Sequence, residues 1–172
     1  MGNSKSGTAV SKPSALDPQE QKCLDDVARF GCHILKVFDD KGEAESFAYS
    51  VGFPVSVEQP EVLVYGLPPE LMASMIRQVR QQCSEGLVLA DGARIGNLLE
   101  GHDCIARSCR SRKAIEEHLG WAIWYHRTQR SEEVNEFYQI VWPGAVNGLF
   151  PWGPGASPDV IDAQPALYES VE

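Results

Sequence analysis

Residues 61–65 read Glu-Val-Leu-Val-Tyr and lie between Pro60 and the pair Pro68 and Pro69. A strand with one face in water alternates apolar and polar residues, because successive side chains point to opposite sides. Here the apolar residues are consecutive, as in a central strand covered on both faces. Two β-rich runs precede it, CHILKVF at 32–38 and SFAYSVGF at 46–53, separated by the polar, Gly-containing turn DDKGE at 39–43. Three successive strands form a meander, with the third at the heart of the sheet.

Helices flank these strands. In LDPQEQKCLDDVARFG, residues 16–31, Asp17 suits the N-cap, Pro18 the first helical position and Glu20 the capping box, while Gly31 can end the helix. Residues 68–83 carry Leu71, Met72, Met75, Ile76 and Val79 at helical spacing, an apolar stripe to lay on the sheet. Short strands are expected around 94–98 and 102–108. A third helix, N-capped by Ser111, runs through residue 129, with Gly120 interrupting it at a cost of about 1 kcal/mol relative to Ala. NEFYQIVW, residues 135–142, forms a further strand ended by Pro143, and beyond it no periodic element is visible, so a loop and then a tail are expected. The pieces predict an α+β domain: a mostly antiparallel sheet of about five or six strands with about three helices packed mainly on one face. The organisation expected is a disordered N-terminal tail at 1–15, one α+β domain at 16–155 and an acidic C-terminal tail at 156–172.

A second group of segments carries a family likeness. FGCHILKVF, FAYSVGF, PEVLVYGLP and YQIVWPGAVNGLFPW occur in this order, and the combination resembles the bacterial DUF4262 family of uncharacterised proteins over about residues 20–153. That family has an early Gly-x-His strand, a Phe-x-Tyr-x-Val-Gly segment, a Pro-Glu-apolar strand and a late Gln-x-x-Trp-Pro…Gly-x-Phe-Pro-Trp element. This chain departs from it at Gly144, where Asp is common, and at Cys32, where an aromatic is common. The resemblance implies an architecture and a set of suspect positions, and no established activity.

Bulk properties narrow the function. At 172 residues, 43% hydrophobic and 23% charged, the composition is that of a soluble globular domain. A formal net charge of -9 repels a phosphate backbone, and no basic cluster larger than RSCRSRK at 107–113 offsets it, so nucleic acid is excluded as a partner and a basic protein is favoured. The five cysteines follow no CxxC spacing and read as reduced thiols in a cytoplasmic protein. No apolar run is long enough for a membrane span. The start, MGNSKS, satisfies the N-myristoylation pattern at Gly2, which a flexible polar tail also matches by chance.

The candidate chemistry is sparse. His33 in its apolar strand is either a hydrogen-bonded core histidine or a general base in a cleft beside Tyr49, with Glu61 as an orienting carboxylate. Glu61, at a strand start, also fits a solvated edge carboxylate. His102, Asp103 and Cys104 are adjacent, but neighbours on a strand diverge, so no metal site is assigned and no cofactor is implied. His118 and His126, two turns apart, fit a solvated or half-buried helix face, and Trp121, Trp124 and Tyr125 fit a core, any exposed remainder of the three serving as a binding patch. P-loop, dinucleotide and Gly-x-Ser-x-Gly signatures are missing. The leading expectation is a non-enzymatic acidic interaction module of immunity or inhibitor type, binding a basic partner. The alternatives are an enzyme or small-ligand binder with a cleft formed by His33, Tyr49, Gln139, Trp142 and Trp152, and a host-delivered effector lipidated at Gly2. Phe150 and Trp152, stiffened by Pro151, form a lid over either the core or that cleft.

Overall fold

The computed structural model describes residues 16–38 and 46–169. The expected tail at 1–15, its Gly2 and the turn at 39–43 lie outside the described residues. Helix α1 spans Pro18–Phe30, with both halves of the capping box in place: the Glu20 N–H donates to Asp17 Oδ1 at 2.8 Å, and the Asp17 N–H donates to Glu20 Oε1 at 3.1 Å. Gly31 ends it in the left-handed region, at φ 87°, with its N–H on the Val27 carbonyl. Strands β1 (His33–Val37) and β2 (Phe47–Val51) follow, then the one-turn helix α2 (Phe53–Ser56), strand β3 (Glu61–Tyr65) and helix α3 (Pro69–Ser84).

Strands β4 (Arg94–Leu99) and β5 (His102–Cys109) precede helices α4 (Arg112–His118) and α5 (Gly120–Arg130), after which β6 (Phe137–Val141) returns to the sheet. The six strands lie in the order β1-β2-β3-β6-β5-β4. Neighbours are antiparallel except at the centre, where β3 and β6 run parallel with Glu61 opposite Phe137 and Leu63 opposite Gln139. The sheet is therefore mixed: an expected meander of three strands and a second three-stranded antiparallel unit meet at a parallel seam, whose long connection carries α3, the β4–β5 pair, α4 and α5.

Helices cover both faces, which corrects the expectation that they pack mainly on one. Met72, Met75, Ile76 and Val79 of α3 pack with Ala48, Val62, Val64 and Ile140 on one side. Cys23 and Val27 of α1, with Ala114, Ile115, Leu119 and Ala122 from the α4–α5 segment, pack with Tyr49, Leu63, Tyr65 and Phe137 on the other. The reason is in the two seam strands, in which all five residues are buried; a strand apolar on both faces needs a layer on each.

Two further expectations change. The single helix expected from Ser111 to residue 129 is broken at Leu119, whose φ of -111° and ψ of 39° leave the helical region, while its side chain is fully buried. Burial of Leu119 at the bend turns α5 so that its own apolar side meets the sheet. The stretch read as loop and tail contains helix α6 (Pro158–Ala163), N-capped by Ser157, and a 3-10 turn at Leu167–Glu169. Val160, Gln164 and Leu167 are buried there, too few and too closely followed by breaks to form a visible period. Among the described residues, no helix is long and apolar enough to cross a membrane. All five cysteines are buried and free.

Candidate functional site

At the start of β3, Glu61 is 1% exposed, where an unpaired carboxylate would be very costly. Its Oε1 accepts from the Ser50 hydroxyl at 2.6 Å and the Phe53 N–H at 3.1 Å, and its Oε2 from the Gly52 N–H at 2.7 Å and His126 Nε2 at 2.7 Å. The first three come from the β2–α2 corner, the fourth from α5. Arg130 Nη1 donates to His126 Nδ1 at 3.2 Å, so the ring carries its proton on Nε2. Ser50 Oγ in turn accepts from the Val62 N–H at 3.0 Å. The expected solvated edge carboxylate is thus a buried one, and the expected half-exposed His126 is 2% exposed and its partner. Both carboxylate oxygens of Glu61 and both ring nitrogens of His126 are engaged within the chain. The network joins β2, α2, β3 and α5.

Beside it opens a cavity of about 370 Å³ with an acidic wall. The wall is largely neutralised within the chain, since Glu132 pairs with Arg130 at 3.0 Å, Glu133 with Arg127 at 3.0 Å and Glu136 with Arg110 at 3.3 Å.

The other expected site residues separate. His33 Nδ1 lies 2.7 Å from Asp26 Oδ2 at the sheet edge, not beside Glu61. Burial raises the Asp26 carboxyl, but the bonds from His33 and Lys22 outweigh it and hold the group below its ordinary value. Tyr49 is 2% exposed, its hydroxyl accepting the Trp121 N–H at 2.9 Å, and burial pushes its pKa up to about 12. Gln139 engages both ends of its amide with the C-terminal segment, donating to the Pro165 carbonyl at 2.9 Å and accepting the Leu167 N–H at 3.1 Å. Trp142 is pinned too: Nε1 donates to the Tyr65 carbonyl at 2.7 Å, and its backbone exchanges bonds of 3.0 and 2.9 Å with the Gln164 amide. In the sheet, Tyr49 faces Leu63, Leu63 faces Gln139 and Gln139 faces Arg107. Three strand spacings, about 14 Å, therefore separate the backbones of Tyr49 and Arg107, and it is the Arg107 guanidinium that meets the Trp152 ring. Buried Leu63 and Gln139 stand between Tyr49 and Arg107 in this row.

Phe150 and Trp152 belong to an aromatic cluster around Arg107. Pro143 ends β6, and the loop closes on bonds from the Gly144 N–H to the Leu149 carbonyl and from the Gly148 N–H to the Gly144 carbonyl, both 2.9 Å. The rings of Phe150 and Trp152 stack at 5.2 Å, and Tyr168 meets Trp152 edge-on at 5.8 Å. The Arg107 guanidinium lies 4.9 Å from the Trp152 ring and 4.4 Å from that of Tyr168, while its Nε donates to Asp91 at 2.9 Å. Trp152 nevertheless remains 42% exposed.

The remaining histidines are accounted for locally. His118 faces the Ala114 carbonyl through Nδ1 at 2.9 Å and the Tyr65 hydroxyl through Nε2 at 3.1 Å, and His102 faces the Ala145 carbonyl at 3.2 Å. Among the described residues, no three His, Cys, Asp or Glu side chains come together as a metal site.

The segments that build these networks are those of a known family. The family model described as a domain of unknown function, DUF4262, matches residues 26–157. The chain belongs to the DUF4262 family. The match takes in Glu61, His126, Arg107 and Trp152 but ends before Gln164 and Tyr168, so α6 and the 3-10 turn lie beyond the matched DUF4262 region. At Gly144, where Asp is common in the family, a Cβ would stand 3.0 Å from Asn147 Oδ1 and 3.3 Å from Val160 Cγ2, so the tight loop and α6 favour glycine here. Comparison with curated proteins and with solved structures returns no match.

Proposed function

We propose that this chain is a non-enzymatic protein-interaction module, of immunity or inhibitor type, whose contact surface is the cluster of Phe150, Trp152 and Tyr168 around Arg107. The observation that carries the reading is Trp152: a large ring held on three sides by stacking partners and still 42% exposed. Trp, Tyr and Arg dominate the energetics of protein interfaces, and a ring already fixed in place loses little entropy on binding. Val146 and Ile161 add exposed apolar surface on the flanking loop and helix.

A basic partner fits the formal net charge of -9 and the exposed carboxylates Asp159, Asp162 and Glu169 on the segments that follow the cluster. The Glu61 network supports a binding role over a catalytic one, since its carboxylate and imidazole are saturated by the fold. Immobilised full-length chain should capture a basic protein from its native host, with affinity falling as salt rises. Trp152→Ala should cut that capture by tenfold or more, the loss typical of a central aromatic. Capture equal for both chains would sink the reading.

A further inference from the structure

A separate concavity of about 550 Å³ opens where β1, at one edge of the described sheet, is flanked by α1 on one face and α3 on the other. Its walls carry Lys22, Lys36, Arg77 and Arg80 against the single carboxylate of Asp26. This is a local excess of positive charge in a chain whose formal net charge is -9. The volume is that of small-molecule sites.

Its cations are not equally occupied. Lys22 and His33 share Asp26, and Lys36 pairs with Glu70. Arg107, Arg110, Arg127 and Arg130 elsewhere each hold a carboxylate. Among the described residues, Arg77 and Arg80 have no ion pair and no hydrogen-bonding partner. They stand three residues apart on α3, hence on one helix face. Arg80 is half-buried and lies against the end of α1: a Cβ on Gly31 would come within 2.7 Å of its Nη1, so the glycine makes room for the guanidinium beside the helix's carbonyl end. The lining also includes the apolar side chains of Ile34 on β1 and of Phe30, which is 57% exposed.

We propose that this pocket binds a small phosphate ester, its phosphate on the Arg77 and Arg80 guanidiniums and its organic part against Phe30 and Ile34. Planar guanidiniums present paired donors that match a tetrahedral oxyanion, and two of them with uncommitted donors supply a fork that a lysine does not. The aromatic wall selects an ester over the free ion. This site is independent of the Trp152 surface.

The test is calorimetric titration of the full chain with phenyl phosphate, inorganic phosphate and neutral benzyl alcohol in a buffer free of other multivalent anions. Phenyl phosphate should bind saturably and at least tenfold more tightly than inorganic phosphate, with benzyl alcohol weaker than both. Arg77→Gln, at an exposed position, should weaken phenyl phosphate about tenfold, and Arg77→Gln with Arg80→Gln more. Phe30→Ala should bring phenyl phosphate down to the level of inorganic phosphate, and Lys113→Gln, on α4, should change nothing. Because Arg80 packs on α1, each variant is compared by its melting curve, and Arg77→Gln alone decides if the double variant does not fold. No saturable binding of phenyl phosphate, or binding undiminished by Arg77→Gln, overturns the proposal.

Discussion

The Glu61 cluster and the Trp152 cluster each set an arginine and a carboxylate beside aromatic rings, but the carboxylate and imidazole of the first are almost fully buried while the central ring of the second stays open. Around Glu61 and His126, side chains 1% and 2% exposed are satisfied on every side by α2, β2 and α5. Around Arg107, the rings are stacked and the guanidinium is paired, yet Trp152 keeps 42% of its surface open. A polar group whose every partner is internal contributes to stability, whereas a rigid aromatic left at the surface has affinity to offer. On the proposed reading, the first cluster holds the fold and the second is the contact surface.

That contrast can be broken most severely at Glu61. Glu61→Ala leaves four donors facing a void, and a loss of about 3–5 kcal/mol is expected, on the order of 10 °C in melting temperature. A drop under about 1 kcal/mol would mean that the network does not hold the fold. His126→Phe puts a somewhat larger apolar ring in its place and removes the bonds to Glu61 and from Arg130 but keeps the carboxylate's three other donors, so chemical denaturation should register a smaller loss, about 1.5–3 kcal/mol.

High pH probes the same buried interior. Burial pushes the Cys23 and Cys104 thiols up to about 12 and those of Cys32 and Cys83 up to about 11. These folded values lie above the unfolded one, about 8.5. Their contribution is therefore fully present below about pH 8.5 and is lost as pH rises toward the folded values, because only the unfolded chain ionises. Melting temperature should stay level near neutrality and fall progressively above about pH 9, with thiol-reactive dyes labelling slowly until unfolding.

Low pH touches the exposed cluster instead. The Ser108 N–H, the largest influence on Asp91, and Arg107 hold its carboxyl below the ordinary value against the opposing effect of burial. Its contribution is present above about pH 4 and lost as pH falls through the lowered folded value. The side chain is 56% exposed, so the effect on stability is small. It should appear instead as a change in Trp152 fluorescence below about pH 4 that Asp91→Asn removes.

Much of the meander was legible locally. The capping residues Asp17, Glu20 and Gly31 of α1 are neighbours in sequence, and three β-rich runs lie in succession. The parallel seam was not, because β3 and β6 are brought together by a connection holding two helical layers and a strand pair. The covering of both faces was written in the unbroken apolar runs at 61–65 and 137–141, and the expectation of helices mainly on one face gave them too little weight. Glu61 was singled out, but with His33 as its companion; the true partner, His126, lies 65 residues away on a helix that bends at Leu119. Gln139 and Trp142 drew attention because they lie in the Gln-x-x-Trp-Pro segment that the family resemblance marks as recurrent. Their bonds go to Pro165, Leu167 and Gln164, in a segment whose elements are too short to announce themselves.

The most direct test of the account compares melting temperature and capture of the native partner in the same preparation of Trp152→Ala. Half-exposed and outside the buried networks, Trp152 should cost about 1 kcal/mol or less in stability, a shift of a few degrees, while capture falls at least tenfold. Capture that survives the substitution, or a melting loss as large as that of Glu61→Ala, would contradict the division between a buried lock and an exposed contact surface.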